Sequence, residues 1–479
     1  MRILKAGLFV AVLLATPAVA GTQYYVRTDG HDDNCNGQVN QPEASAPYCA
    51  YKTLFKALGP GFVAGDNLQI GAGTYNEKMV LPPDMDQSAT PNDPTVIAGD
   101  PGVSRLQVVI AGVPGGQETI YSPPGDSSLK TRYLTIRHLR FKAGTKFGIH
   151  LSGRHEDITL EDLEVTPDDF PPSPGICCRM DGEESAALIR VRHAQNFTKK
   201  ITVIDSRFTA PSSYTEDGIS GVKASTMFIQ ATNTLIRRVE SSHFLGAFAG
   251  EISNDSIVED CIISDTTCSD FDGCVSSYND LRVTIRRNVF HSFRPSETFP
   301  AVKVRRLDLI QPAASVIAYN NTFIGKPGTS TGAAEIGMGW PITGATTGES
   351  VFINNLLLEL GNDAMATGYP VLMRQCAGAG TMLDYNGYWN NSGGRTFNNE
   401  PDPDCQGPFE SNSMTVNPQL NSAWQPSVNN VVCAAGDPAY FAWDGDRSSP
   451  YLGAKPCRTG SGGGQGGSCG PGEFCYEDP

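Results

Sequence analysis

Basic residues are scarce in this chain. Lys and Arg number 36 against 51 Asp and Glu, giving a formal charge of −15. A surface this acidic repels nucleic acid and anionic membranes. Histidines are few and scattered, seven in 479 residues, and no pair of Cys-x-x-Cys motifs occurs. This argues against a structural zinc site. Apart from the N-terminus, no run is apolar enough to cross a bilayer, which takes ~20 residues as a helix. Helical periodicity is also weak, while β-branched residues abound beside 51 Gly and 33 Pro. That excludes a helical repeat.

The N-terminal stretch "MRILKAGLFVAVLLATPAVA" has Arg2 and Lys5 before the apolar run Ala6–Ala15, and small residues at 18–20. It reads as an export signal over 1–20, removed before Gly21. The mature chain is expected to be secreted, extracellular or periplasmic, and monomeric. In such a compartment the 13 cysteines should mostly pair, with one left over. Spacing favours Cys35 with Cys49 and Cys469 with Cys475; Cys268 and Cys274 are also near enough.

A hexapeptide recurs: "IRHLRF" 136–141, "LEDLEV" 160–165, "VIDSRF" 203–208, "VESSHF" 239–244, "VEDCII" 258–263, "IRRNVF" 285–290, "AYNNTF" 318–323, "FINNLL" 352–357 and "LDYNGY" 383–388. Its fourth position ends as Asn288, Asn321, Asn355 and Asn386, and the intervals run from 19 to 43 residues. The motif reads as strand, sharp bend, strand. Stacked Asn side chains at the bend can share amide hydrogen bonds with each other and with buried backbone. Cys261 falls in the same inward slot and is the candidate for the unpaired cysteine. A further strand precedes each hexapeptide, expected at 148–153, 188–193, 218–223, 250–255, 273–278, 301–306, 334–339 and 370–375. Three strands per coil, stacked ~4.8 Å apart, make an all-β solenoid with a continuous core.

This pattern resembles the right-handed parallel β-helix of the pectate lyase-like superfamily. The opening "YYVRTDGHDDNCNG", "CAYKTLFKAL" and "GDNLQIGAGTYNE", and the closing "DGDRSSPYLGA", strengthen the resemblance. It covers residues 21–456, with a helical cap over 21–60 and a closing region over 390–456. A Gly/Ser-rich linker and Cys-containing tail follow over 457–479. The resemblance implies a fold shared by lyases, hydrolases, esterases, epimerases and non-enzymes. It also implies a substrate, a polysaccharide or other glycan, along the outer face of the first sheet.

Alternation puts His150, Arg190, Arg192, Lys223, Glu251, Lys303, Arg305, Glu335 and Arg374 on that face. By the resemblance, Lys303 and Arg305 are candidates for the base and the carboxylate neutraliser of a β-eliminating lyase. Asp217, Asp270 and Asp272, with Glu251, are candidates for holding Ca²⁺. Arg190, Arg192, Lys223, Glu335 and Arg374 are candidate substrate contacts. A glycoside hydrolase reading pairs Glu251 with Asp272. The polygalacturonase-type motifs are only echoed, by "YTEDGI" and "DFDGC". No Gly-His-Gly occurs, and His291 is expected in a turn. The Trp residues 340, 389, 424 and 443 either stack on sugar rings or cap the core. The competing reading is a non-catalytic rod that binds glycan or protein, its charges forming a surface ladder.

Overall fold

A computed structural model describes residues 21–83, 85, 89–123, 129–170, 186–192, 198–212, 224–244, 246–251, 254–266, 274–278, 282–293, 301–306, 316–325, 334–339, 351–360, 371–373, 382–391, 397–398, 411–427, 430–437, 451–455 and 457. The chain is a parallel β-helix. An 11-stranded parallel sheet runs from Met79–Val80 to Phe397–Asn398 and forms the first face. A 22-stranded sheet folds at a bend into the second and third faces. One coil shows the plan: Gly246–Glu251 on the first face, Ile257–Glu259 on the second, Ile262–Ser264 on the third. Each strand pairs in parallel with its successor, as in Phe248↔Val275, Val258↔Ile285 and Ile263↔Phe290.

The hexapeptide is the bend between the second and third faces. Its third residue takes the left-handed conformation, with φ 53° at Asp205, 56° at Asp260, 53° at Asn320 and 57° at Asn354. Asp and Asn tolerate that region because their short polar side chains bond locally. The fourth residue then turns inward. Asn288, Asn321, Asn355 and Asn386 are all fully buried. Asn288 Nδ2 donates to Val258 O at 2.9 Å, and Asn386 Nδ2 to Phe352 O at 3.1 Å. Upstream, Ser206 Oγ accepts from Leu163 N at 3.0 Å. The residues flanking the slot fill the core, where Phe290, Phe323 and Phe352 stack with ring centres 4.8 and 5.9 Å apart.

Three expectations are corrected. In the coil at 235–244, Glu240 pairs with Arg207, and the left-handed residue is Arg238. The inward slot there is therefore Val239, three residues before Ser242. On the first face, the strands in register are Ala224–Ile229 and Gly246–Glu251; of the expected strands, 218–223 lies outside the described residues and 250–255 overlaps the second only at Gly250 and Glu251. The true segments "ASTMFI" and "GAFAGE" are rich in small residues and alternate poorly, so the neighbouring stretches mimicked them better. His291 sits in the strand Val289–Phe293, not in a turn.

The ends are closed by the expected means. Cys35 and Cys49 are disulfide-bonded. The short helix Leu54–Ala57 buries Leu54 and Ala57, and Thr53 Oγ1 accepts from Lys56 N. At the other end, Gly453 N donates to Asn354 O, Ala454 N to Thr322 Oγ1, and Asn320 Nδ2 to Tyr451 O. A second disulfide, Cys433–Cys457, which the spacing did not suggest, ties this closing segment together. Cys274 is disulfide-bonded as well. Cys268, Cys469 and Cys475 lie outside the described residues. Among the described residues no helix is long and apolar enough to cross a membrane.

Candidate functional site on the first face

The first face carries an unbroken column of backbone partners. Val80 pairs with Tyr121, Tyr121 with His150, His150 with Arg190 and Arg190 with Phe228. The column continues through Ala249 and Ser276 to Lys303 and Glu335. From Val80 to Lys303 it spans seven coil steps, or ~34 Å at ~4.8 Å each. Two residues further along each strand runs a second column. Arg192 pairs with Ser152. Glu251 pairs with Tyr278, and Tyr278 with Arg305. The structure thus brings Arg190, Lys303 and Glu335 into one column, with Glu251 and Arg305 two strands apart in the other.

The register reaches only one member of the hydrolase pair. Glu251 is opposite Tyr278, the last residue of its strand. Asp272 precedes that strand. Asp217, Lys223, Asp270, Asp272 and Arg374 lie outside the described residues. Among the described residues, no group of three His, Cys, Asp or Glu side chains is placed to hold a metal.

Several side chains converge at the N-terminal end of the face. Lys78 Nζ lies 3.2 Å from Glu118 Oε2 and 4.6 Å from the centre of the Tyr121 ring. His150 Nδ1 lies 3.6 Å from Glu118 Oε1, and its ring is 5.7 Å from that of Tyr121 and 4.5 Å from that of Phe147. Arg190 is only 2% exposed and places its guanidinium 4.9 Å from the Phe147 ring centre. Burial first, and then the Glu118 carboxylate, push the Tyr121 phenol above its ordinary value. The result is a cluster of Lys78, His150, Arg190, Tyr121 and Phe147 around the Glu118 carboxylate, in which Arg190 and Phe147 are buried. Cations and aromatic faces together suit an anionic ligand with an apolar side. Of these, the sequence pointed to His150 and Arg190. Lys78, Glu118 and Tyr121 were missed because they lie before the first hexapeptide. Their signal was the alternating "ETIYS" 118–122.

The tryptophans divide. Trp424 stacks on His291, ring centres 4.5 Å apart at 29°, so it caps the fold rather than waiting for a sugar. Trp389 is 39% exposed at the end of the strand Gly387–Trp389. Trp340 and Trp443 lie outside the described residues.

Several solved structures are similar to this chain. One is a mannuronic acid specific polysaccharide family 6 lyase from human gut microbiota, at 14% identity over 76% of this chain and 75% of that one, with TM-score 0.46. Pectate lyase Pel9A matches at 14% identity over 91% and 96%, TM-score 0.45. A GH136 lacto-N-biosidase from Eubacterium ramulus matches at 10% identity over 82% and 68%, TM-score 0.42. At these levels the neighbours assign no residue here. No family model and no curated protein matches the chain.

Proposed function

We propose that this is an exported, carbohydrate-active β-helix protein that holds an acidic polysaccharide along its first face and cleaves it by β-elimination. The observation that carries the reading is the continuous column from Tyr121 through His150 and Arg190 to Lys303 and Glu335. A ~34 Å line that carries Arg190 and Lys303, with Arg192 and Arg305 in the column beside it, supports an extended polyanion as the ligand of an otherwise acidic chain. In this reading Lys303 removes the proton beside the uronate carboxyl group, and Arg305 meets that carboxylate. Arg190, Arg192, Lys223, Glu335 and Arg374 bind the flanking units. Asp217, Asp270 and Asp272, whose carboxylates suit a hard cation, would hold a Ca²⁺ ion that helps neutralise the uronate carboxylate.

The test is ultraviolet absorbance of the unsaturated product, with the mature chain and Ca²⁺ incubated against a panel of uronate polysaccharides. Product should form on one of them, vanish with Lys303→Ala and fall with chelator. A flat trace across the panel, with product absent at every pH tried, overturns the lyase reading.

A second reading is favoured by a specific observation. Lys78 at the N-terminal end is already paired with Glu118, and His150 Nδ1 lies 3.6 Å from the same carboxylate. Such pairing suits a binding rod. Retention on a uronate matrix without turnover would select it.

A further inference from the structure

A pocket of about 540 Å³ opens at the N-terminal end of the β-helix, where the cap meets the first strand of the first face. Tyr24, Tyr51, Phe55, Phe62, Lys56 and Lys78 line it. Tyr24 and Tyr51 stack with ring centres 6.4 Å apart at 18°, and Phe62 leans on Tyr24 at 5.9 Å. Phe55 is 82% exposed at the rim. Its backbone is fixed all the same, because the Glu77 carboxylate accepts from Leu54 N and Phe55 N at 2.9 and 3.0 Å. The size falls in the ~300–1,000 Å³ range of small-ligand sites, and so does the plan of apolar walls with a few polar groups.

Two features narrow the ligand. The lining holds two lysines and no Asp or Glu, on a chain where acidic residues outnumber basic ones 51 to 36. Lys56, with Lys78 shared with Glu118, favours an anion with apolar faces broad enough for aromatic rings. Second, the pocket is continuous with the first-face column. Val80 lines it and pairs with Tyr121, and Lys78 spans from its wall to Glu118. A polymer lying along the column runs off the sheet at this point, into the pocket.

We propose that the pocket binds the terminal uronate unit of the acidic polysaccharide that lies along the first face. Its pyranose ring packs on the tyrosine and phenylalanine faces, and its carboxylate meets Lys56 and Lys78. This rests on the proposed function for the identity of the polymer, and makes the protein a reader of chain ends.

The test is calorimetric titration of the mature chain with uronate trisaccharides and a neutral trisaccharide, on the Lys303→Ala background so that no turnover intervenes. Acidic trisaccharide should bind and neutral should not. Phe55→Ala and Lys56→Ala should each weaken binding about tenfold. Both side chains are exposed, so unchanged circular dichroism excludes misfolding as the cause. Wild-type affinity in both rim variants, equal binding of the neutral sugar, or absence of acidic binding would overturn the assignment. So would self-association that Phe55→Ala abolishes, which makes the pocket a contact between two copies. Acidic trisaccharide binding to the Lys303→Ala chain, together with no unsaturated product from the unsubstituted chain on any uronate polysaccharide, fails the lyase reading and leaves the pocket standing.

Discussion

The backbone N–H and the side-chain amide of Asn321 both donate to Asn355 Oδ1, at 2.9 and 3.0 Å. One step up the ladder, Asn321 Oδ1 receives the same two bonds from Asn288, at 3.1 Å each. Asn321 Nδ2 also donates to Ile285 O at 2.9 Å. The side chain therefore satisfies two backbone groups of the preceding coil, Asn288 N–H and Ile285 C=O, and links them to the Asn355 amide of the next, in a place water does not reach. Replacing it by Ala strands the Asn288 donors and the Ile285 carbonyl. At ~1–3 kcal/mol for each buried group left without a partner, Asn321→Ala should cost about 4 kcal/mol. Because neighbouring coils carry stability in a solenoid, hydrogen exchange at the Asn288 amide should rise first. Ser206→Ala strands fewer groups and should cost about 1–2 kcal/mol by the same measurement.

A second structural group is ionic. Glu259 is fully buried, and both its oxygens are taken by arginines. Oε2 accepts from Arg286 Nε at 2.6 Å and from Arg287 at 2.9 Å, while Arg237 holds Oε1. Asp260 shares Arg287, through bonds of 2.8 Å. Breaking such a group by removing one member costs more than the group contributes, since it leaves like charges facing each other. The arginines remain partly wet, Arg237 at 39%, which reduces the penalty. Glu259→Gln should destabilise by about 3 kcal/mol in chemical denaturation, and by more at low ionic strength.

The sequence made these two groups unequally legible. The Asn slots stood out because Asn is rare between apolar neighbours, and because the residue before it is itself one that accepts left-handed backbone, as at Asn320 and Asn354. Where the slot residue is apolar the pattern disappears. Val239 is indistinguishable from its neighbours, and the template settled on Ser242, three residues late. The usable signal was charge, since Arg238 reaches back to Asp205 at 2.5 and 2.7 Å in the preceding coil. The candidate site was legible only where it lay inside the repeats. Arg190, Lys303 and Glu335 follow from alternation and share a column. Lys78, Glu118 and Tyr121 belong to early coils whose bends lack the motif. The pocket is assembled from the cap, where no repeat guides the eye.

Cys261 occupies the slot between Val239 and Asn288. Its N–H donates to Asn288 Oδ1 at 3.0 Å, and its Sγ lies 3.2 Å from Glu259 O. Burial pushes the thiol up to about 12. Thiolate is the reactive form, so the folded protein should leave Cys261 unlabelled by iodoacetamide at neutral pH. Peptide mass mapping should find it alkylated only after unfolding. Labelling of Cys261 in the native chain would show that this coil opens.

The stacked pair His291–Trp424 joins the third face to the closing segment across more than a hundred residues. Burial under the indole lowers the imidazole below its ordinary value of 6.5, and Asp265 opposes this only in part. The sign follows from linkage. The unfolded chain takes up a proton at His291 near pH 6.5, before the folded one does. Above that pH both states are neutral and the contact contributes fully. As pH falls through the window beneath it, the unfolded state gains protons first and stability declines. Acidification from neutrality toward pH 5 should therefore loosen the closing segment, read as a change in Trp emission that Trp424→Phe removes. His291→Phe keeps an aromatic ring against the indole and cannot be charged, so its unfolding midpoint should be flat through the same window. A midpoint that falls equally in wild type and His291→Phe would place the acid sensitivity elsewhere in the chain.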